Sequence, residues 1–424
     1  MQKLKDVIDA LINNKDSLKT LYPRNTQKQQ QRYLNISYRF LERFPGLADV
    51  CFFSTPGRTE IGGNHTDHNG GRVLAGAINL DVISVAAPNN SNSIYIVSEG
   101  YGDIKIDLES VGKVPSERRT STALVRGVCA RMRQLGYNVQ GFYAYINSDV
   151  KDGSGLSSSA AFEVQLATMI NHLFNGGKID LIEIAQIAQY AENHYFEKPC
   201  GLMDQTTCAV GGLVQIDFKD FENPTVRKVN YDFGQSGYAM VIVFAGEGHD
   251  GLNDEYEALE NEMKAVAKSL GGKVLRDFSE DIVLQMIHEL RQKLSDRAIL
   301  RALHFYADDK RVVQQTQKLE EGNFADFLQL IIDSGYSSWM LCQNVYVNSD
   351  VTQQGLSIAL AISKQLLEGK GAWRVHGGGF GGTIQAFVPE DMVEDYVKRM
   401  EDVFGKDSSD ILTIRNLGSG LVNV

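Results

Sequence analysis

One stretch constrains this chain more than any other: Lys151-Asp-Gly-Ser-Gly-Leu-Ser-Ser-Ser-Ala-Ala-Phe162. Glycines and small hydroxyl residues lead directly into a run with helical spacing (Ala160, Ala161, Val164, Ala167, Met169, Ile170, Leu173, Phe174). A buried helix of about four turns is expected over 155–175. Gly153 and Gly155 remove side chains where backbone must approach something closely or take a positive φ. Ser157, Ser158 and Ser159 fall in the first turn, where main-chain N–H groups lack intrahelical partners. With the positive end of the helix dipole, these groups form an anion pocket suited to a phosphate-bearing ligand. From this stretch alone, a serine-capped helix after a glycine turn is an equal reading. No Gly-Lys-Ser/Thr triplet follows, so it is not a Walker loop, and it does not match the dinucleotide fingerprint.

At 424 residues the chain can bury a large core, expected as two domains, 1–233 and 234–424, with the boundary where turn residues cluster near Asp232–Gly237. A formal net charge of −11 argues against nucleic acid or an anionic membrane as partner, and requires a local positive site or a metal for any polyanionic substrate. The five cysteines (Cys51, Cys129, Cys200, Cys208, Cys342) are scattered, which suggests neither a disulfide framework nor a zinc site. No apolar run reaches the roughly eighteen residues a membrane span needs, and the chain reads as cytoplasmic.

Along the chain, residues 1–20 read as one helix, and a second begins at the glutamine patch 27–31, whose glutamines read as a solvated face. Val50–Ser54 reads as a short strand ended by Thr55-Pro56-Gly57, with a polar loop to Arg72 and apolar stretches at 73–78 and 81–87. Strands are expected at 93–97, 104–108, 141–147, 212–218 and 238–245, and helices at 122–135 and 180–196. A helix-rich block spans 252–368, followed by strand pieces near 373–375, 383–388 and 411–415 and a helix at 391–403. Without βαβ regularity, the class is α+β.

Three further stretches carry chemistry. Pro56–Gly71 is a polar loop with five glycines. There Asp67 and His65 suit sugar or alcohol hydroxyls, and Arg58 suits a phosphoryl oxygen or an ionising hydroxyl. Metal binding through His65, Asp67 and His68 is the weaker reading, because close spacing on an irregular loop does not define a coordination geometry. In Ala191–Gln205, Glu192 lies near a helix end and Asp204 follows Pro-Cys-Gly. One of these carboxylates can hold Mg²⁺ while the other orients a nucleophile, although each alone reads equally as a surface or capping residue. Val375–Phe387 places five glycines around Phe380, allowing the main chain to approach a ligand or another loop.

Together the four stretches resemble the GHMP small-molecule kinases and, within them, the galactokinases. The resemblance is carried by Gly57–Asn69, Gly-Leu-Ser-Ser-Ser-Ala-Ala at 155–161, Met-Asp-Gln at 203–205 and Gly-Gly-Gly-Phe-Gly-Gly at 377–382, in family order from about residue 33 onward. It implies a two-domain α+β fold with the active site in the cleft between domains. It also implies ATP-dependent phosphorylation of the anomeric hydroxyl of galactose, with Arg58 and Asp204 as the catalytic pair. Gly153, Ser154, Gly155, Leu156, Ser157 and Ser158 would wrap the ATP phosphates, joined by Ser159, and Ser159 and Glu192 would bind Mg²⁺. Asn64, His65, Asp67, Gly201, Asp204 and Tyr256 would meet the sugar. The implied partners are ATP and a small sugar, without nucleic acid or membrane, and a monomer is expected.

The chain departs from the family pattern at several positions. Asn64 stands where the family usually has Glu, a residue implied to contact the sugar's far hydroxyl. This leaves another hexose, a uronic acid or an amino sugar as alternatives. Thr59-Glu60 replaces Val-Asn, Ile61-Gly62 replaces Leu-Ile, His68 replaces Tyr and Lys151 replaces Pro. A catalytically silent sugar sensor is the reading from another class, and the retained Arg58, Asp204 and Glu192 count against it.

Overall fold

The computed structural model describes all residues except 15, 24, 152–154, 199, 246–251 and 349–350. Among the described residues the strands form two sheets, one of nine strands and one of four. The larger is organised around two long neighbours, Asp49–Gly62 and Arg72–Pro88, paired antiparallel. Arg72–Pro88 also pairs with Phe142–Ser148 and with Leu213–Asp217. The hairpin Ser93–Ser98/Gly102–Asp107 joins through a parallel pairing with Phe142–Ser148. The fold is thus mixed α and β in two sheets, as the α+β class requires.

The expected short strand at 50–54 is instead the start of a strand that continues to Gly62. Pro56 does not end it because the register shifts between Pro56 and Arg58, a bulge that spares the missing N–H. At this bulge the Arg58 N–H donates to Leu156 O at 3.1 Å. Gly57 makes the approach possible, since a Cβ there would sit 2.8 Å from Leu156 O. The two apolar stretches at 73–78 and 81–87 likewise form one strand.

One face of the large sheet carries the helices Ser121–Gln134, Ser158–Phe174, Leu181–Ala191 and Met203–Val210, which share a core with Ile61, Ile78, Val82 and Ile146. The opposite face carries Leu4–Asn13 and Thr26–Arg43, where Tyr33, Ile36 and Phe40 meet Phe52, Ile83 and Val85. The N-terminal helix is therefore shorter than the sequence suggests, and Gln2–Lys3 pairs with Asp49–Val50. The glutamines are not all solvated. Gln29 and Gln30 are buried because Gln29 donates to Asp149 and Gln30 to Asn14 O, partners that periodicity cannot reveal.

The smaller sheet orders Ala372–His376, Thr383–Pro389, Tyr238–Phe244 and Ser409–Leu412, all antiparallel. It packs with the helices Phe324–Ser337, Gly355–Leu367 and Val393–Phe404, while Asp296–Glu320 packs against Phe324–Ser337 and the two long strands of the larger sheet. The sequence reading contained neither Thr225–Val229, which pairs with Leu213–Asp217, nor Gly420–Val422, which returns to pair with Ser54–Phe52. Among the described residues, no helix is long and apolar enough to cross a membrane.

Candidate active site

The expected phosphate pocket begins at residues outside the described set, Gly153 and Ser154. From Gly155 onward its structure is defined. The helix starts at Ser158, three residues later than the expected start at 155, and Ser157 precedes it with φ 62° and ψ 57°. A left-handed conformation costs a non-glycine residue about 1–2 kcal/mol. Here it turns the Ser157 hydroxyl onto Asp204 Oδ2. Leu156 is buried and offers its carbonyl to Arg58 rather than its side chain to the pocket.

Arg58 and Asp204, 146 residues apart in sequence, form a two-pronged pair: Nε to Oδ1 and Nη2 to Oδ2, each 2.7 Å. Arg58 Nη1 donates to Gly155 O, so the guanidinium joins the strand bulge, the phosphate loop and the helix start. Arg58 is 9% exposed. Burial pulls the Asp204 carboxyl upward, but the Arg58 charge and hydrogen bonds outweigh it and hold the group below the ordinary carboxylate range.

Glu192 lies where the Leu181–Ala191 helix gives way to a π-turn, Glu192–Phe196, and is 2% exposed. Its Oε1 accepts from Ser159 Oγ at 3.0 Å and from Lys198 Nζ at 3.2 Å. Its Oε2 accepts from Gln205 Nε2 at 2.7 Å and from Cys200 Sγ at 3.2 Å. One turn beyond Ser159, Glu163 is 0% exposed with Oε1 unpartnered. Burial, then the Glu192 charge, push its carboxyl well above its ordinary value, favouring the protonated form. A hydroxyl and a carboxylate oxygen at this spacing, beside an orphaned carboxyl oxygen, fit a hard oxygen-seeking cation. The described residues contain no group of three or more His, Cys, Asp or Glu able to hold a metal. Mg²⁺ needs only one or two protein ligands and completes its shell with phosphate and water, so the Ser159 and Glu192 oxygens fit it.

The sugar-loop residues separate into two groups. Asp67 lies against Gly201, where a Cβ would be 2.8 Å from Asp67 Oδ2. Burial raises the Asp67 carboxyl, His65 opposes that, and the charges of Asp204 and Glu260 raise it further. His65 takes a left-handed backbone (φ 58°) and donates from Nε2 to Gly378 O at 2.9 Å. Tyr256 donates to Gly379 O at 2.8 Å, with its ring edge-on to Phe380. The glycine-rich loop thus approaches the sugar loop and Tyr256.

Asn64 does not join them. It is 0% exposed, and its side chain makes four hydrogen bonds: Nδ2 to Glu60 Oε1 (3.1 Å) and Gly377 O (2.7 Å), and Oδ1 from Ser338 Oγ (3.2 Å) and Asn344 Nδ2 (2.8 Å). Its main chain is held too, with N–H to Asp308 Oδ2 (2.7 Å) and the carbonyl accepting from His304 Nε2 (2.9 Å). In this arrangement its side chain ties the loop around Asp67 to the second half of the chain, and its neighbours meet its whole hydrogen-bonding capacity.

Glu163, Gln205 and Lys198 are the neighbours the sequence reading missed. Glu163 had a visible signal, a lone charge four residues after Ser159 in an apolar helical run, and Gln205 ends the Met-Asp-Gln motif. Lys198 had none.

The fold and the Arg58–Asp204–Ser157 constellation define a GHMP kinase, and the model of the GHMP kinase N-terminal domain matches residues 123–212. The galactokinase galactose-binding signature matches residues 38–88. A galactokinase of Glaesserella parasuis is 31% identical over 88% of this chain and 94% of its own length. One from Clostridium tetani is 26% identical over 85% and 90%. The chain belongs to the galactokinase family. The galactokinase of Lactococcus lactis, solved in complex with galactose, shares the fold, with TM-score 0.76 and 24% identity over 91% of this chain and 98% of that one.

Proposed function

We propose that this protein transfers the γ-phosphoryl group of ATP to the anomeric hydroxyl of galactose. The observation that carries the reading is the Arg58–Asp204 pair tied through Ser157 to the start of the Ser158–Phe174 helix. The first-turn N–H groups of that helix, with Gly153 to Ser159, hold the nucleotide's phosphates. Ser159 and Glu192 would hold Mg²⁺, which when bound with ATP neutralises charge on the β- and γ-phosphate oxygens. His65, Asp67, Gly201 and Tyr256 frame the sugar. Asp204 accepts a hydrogen bond from the anomeric hydroxyl and aims its oxygen at the phosphorus. Arg58 keeps Asp204 ionised, so Asp204 is a weak base that takes the proton only as the new O–P bond forms.

All these groups come from one chain, so a monomer suffices. The division at 233/234 belongs to this reading. Its support is the change of sheet between Val229 and Tyr238; among the described residues, Gly420–Val422 and the Ile414 bridge to Ile78 return to the first sheet. Five free thiols support a cytoplasmic location. The test is a coupled ADP-release assay over a panel of hexoses, uronic acids and amino sugars. Turnover of galactose well above the others is the expected result, and sugar binding without turnover would refute the reading.

A further inference from the structure

Among the described residues of the candidate active site, Arg58 is already engaged. Arg58 spends Nε and Nη2 on Asp204 and Nη1 on Gly155 O. Asp204 and Glu192 add two carboxylates where an anionic phosphoryl group must be accommodated. Lys198 brings the further cation, with Nζ 3.2 Å from Glu192 Oε1, the same oxygen that takes the Ser159 hydroxyl. Its side chain is 56% exposed.

The backbone that carries it is anchored on both sides. Glu197 is paired with Lys113 and Arg118, Lys198 N–H donates to Glu192 O at 3.2 Å, and Cys200 N–H donates to Asn193 Oδ1 at 2.7 Å. Glu197 itself is held at φ 62°, a conformation that L side chains rarely take. The pair offsets part of the charge of the buried Glu192, which is also hydrogen-bonded by Ser159, Gln205 and Cys200 and so keeps three partners when the ammonium moves away.

We propose that Lys198 is a further catalytic residue: its ammonium occupies the cation-binding edge of Glu192 in the empty enzyme and moves onto the transferring phosphoryl oxygens when nucleotide binds. This rests on the kinase reading above. An ammonium and a divalent cation repel strongly when they share one carboxylate oxygen, so Lys198 must leave Glu192 Oε1 once that edge is taken. A flexible stem on a fixed backbone then keeps the charge within the site, where spread negative charge on the phosphoryl group attracts it. The step adds no reactant, and Lys198 stays protonated throughout.

The test compares the parent chain with K198M and K198R. In K198M, kcat should fall tenfold or more with the galactose KM within twofold of the parent, and K198R should restore part of the loss. Nucleotide-free K198M should also bind Mn²⁺, measured by electron paramagnetic resonance, several-fold more tightly, because the tethered competitor is gone. A kcat within twofold of the parent overturns the proposal, as does an unchanged Mn²⁺ affinity. A rise in galactose KM with kcat retained overturns it too, because that would mark a structural role. If K198M fails to fold, K198R and its Mn²⁺ affinity decide. Turnover by the parent tests the galactokinase reading independently, so failure of the two ideas is distinguishable.

Discussion

Replacing Asn64 distinguishes a sugar ligand from a structural tie. Asn64→Ala removes four side-chain hydrogen bonds from a site with no solvent access. Glu60 keeps Arg374, and Asn344 keeps Gly378 O, but Gly377 O and Ser338 Oγ each lose a partner. At about 1–3 kcal/mol for each of these two buried groups left unpaired, the loss is about 4 kcal/mol. That is about a thousandfold in the folding equilibrium. Asn64→Glu, which restores the usual family residue, should be worse. Its carboxylate would face Glu60 Oε1, a like charge without water to screen it. Equilibrium urea denaturation of both variants, beside galactose KM, provides the measurement. If Asn64→Glu matches the parent within about 1 kcal/mol and lowers the galactose KM, the tie is refuted and position 64 returns to the sugar.

Asp204→Ala should reduce kcat at least about a thousandfold with far-UV circular dichroism unchanged, and a normal rate would remove Asp204 from the mechanism. Glu192→Gln keeps the size but drops the charge, so the Mg²⁺ concentration for half-maximal activity should rise about tenfold or more; an unchanged Mg²⁺ titration would exclude Glu192 as a ligand. Burial holds His304 below its ordinary value and His68 down at about 3, so at these two imidazoles the unfolded chain binds more protons below about pH 6.5. Their stabilising contribution is complete above the free imidazole pKa and is lost toward acid, by about 1.4 kcal/mol per pH unit at His68. The buried carboxyls of Asp67 and Glu163, raised above their ordinary values, act with the opposite sign because the folded chain holds their protons first. The stability difference between the parent and His68→Gln should therefore shrink between pH 7 and pH 5, and a difference that stays constant would contradict this. Asp204, held low by Arg58 against the pull of burial, contributes nothing in that window, and its share of stability is lost only below the ordinary carboxylate range.

Much of the candidate site was legible because its signals are local. The serine-rich helix start, the Met-Asp-Gln turn and the glycine-rich loops are contiguous patterns, each with a direct meaning for backbone geometry. Apolar periodicity placed the helices Ser121–Gln134, Leu181–Ala191 and Val393–Phe404 within a few residues. The strand through Pro56 was not legible, because whether a proline ends a strand depends on the register of the partner strand beside it. Gln29 and Gln30 read as solvated for the same kind of reason, since a polar residue looks exposed until its buried partner is known.

By itself the sequence determined the chemistry available: which residues could grip phosphate, hold a cation or aim a hydroxyl, and in what order along the chain. Only the tertiary structure decided which of them meet. Arg58 finds Asp204 across 146 residues, and Asn64 is filled by Asp308 and Asn344, 244 and 280 residues away. Burial and hydrogen-bond saturation are properties of a neighbourhood assembled from distant segments. The amide of Asn64 is therefore chemically able to bind a sugar, but its hydrogen bonds to Ser338 and Asn344, which join distant parts of the chain, could be seen only in the folded structure.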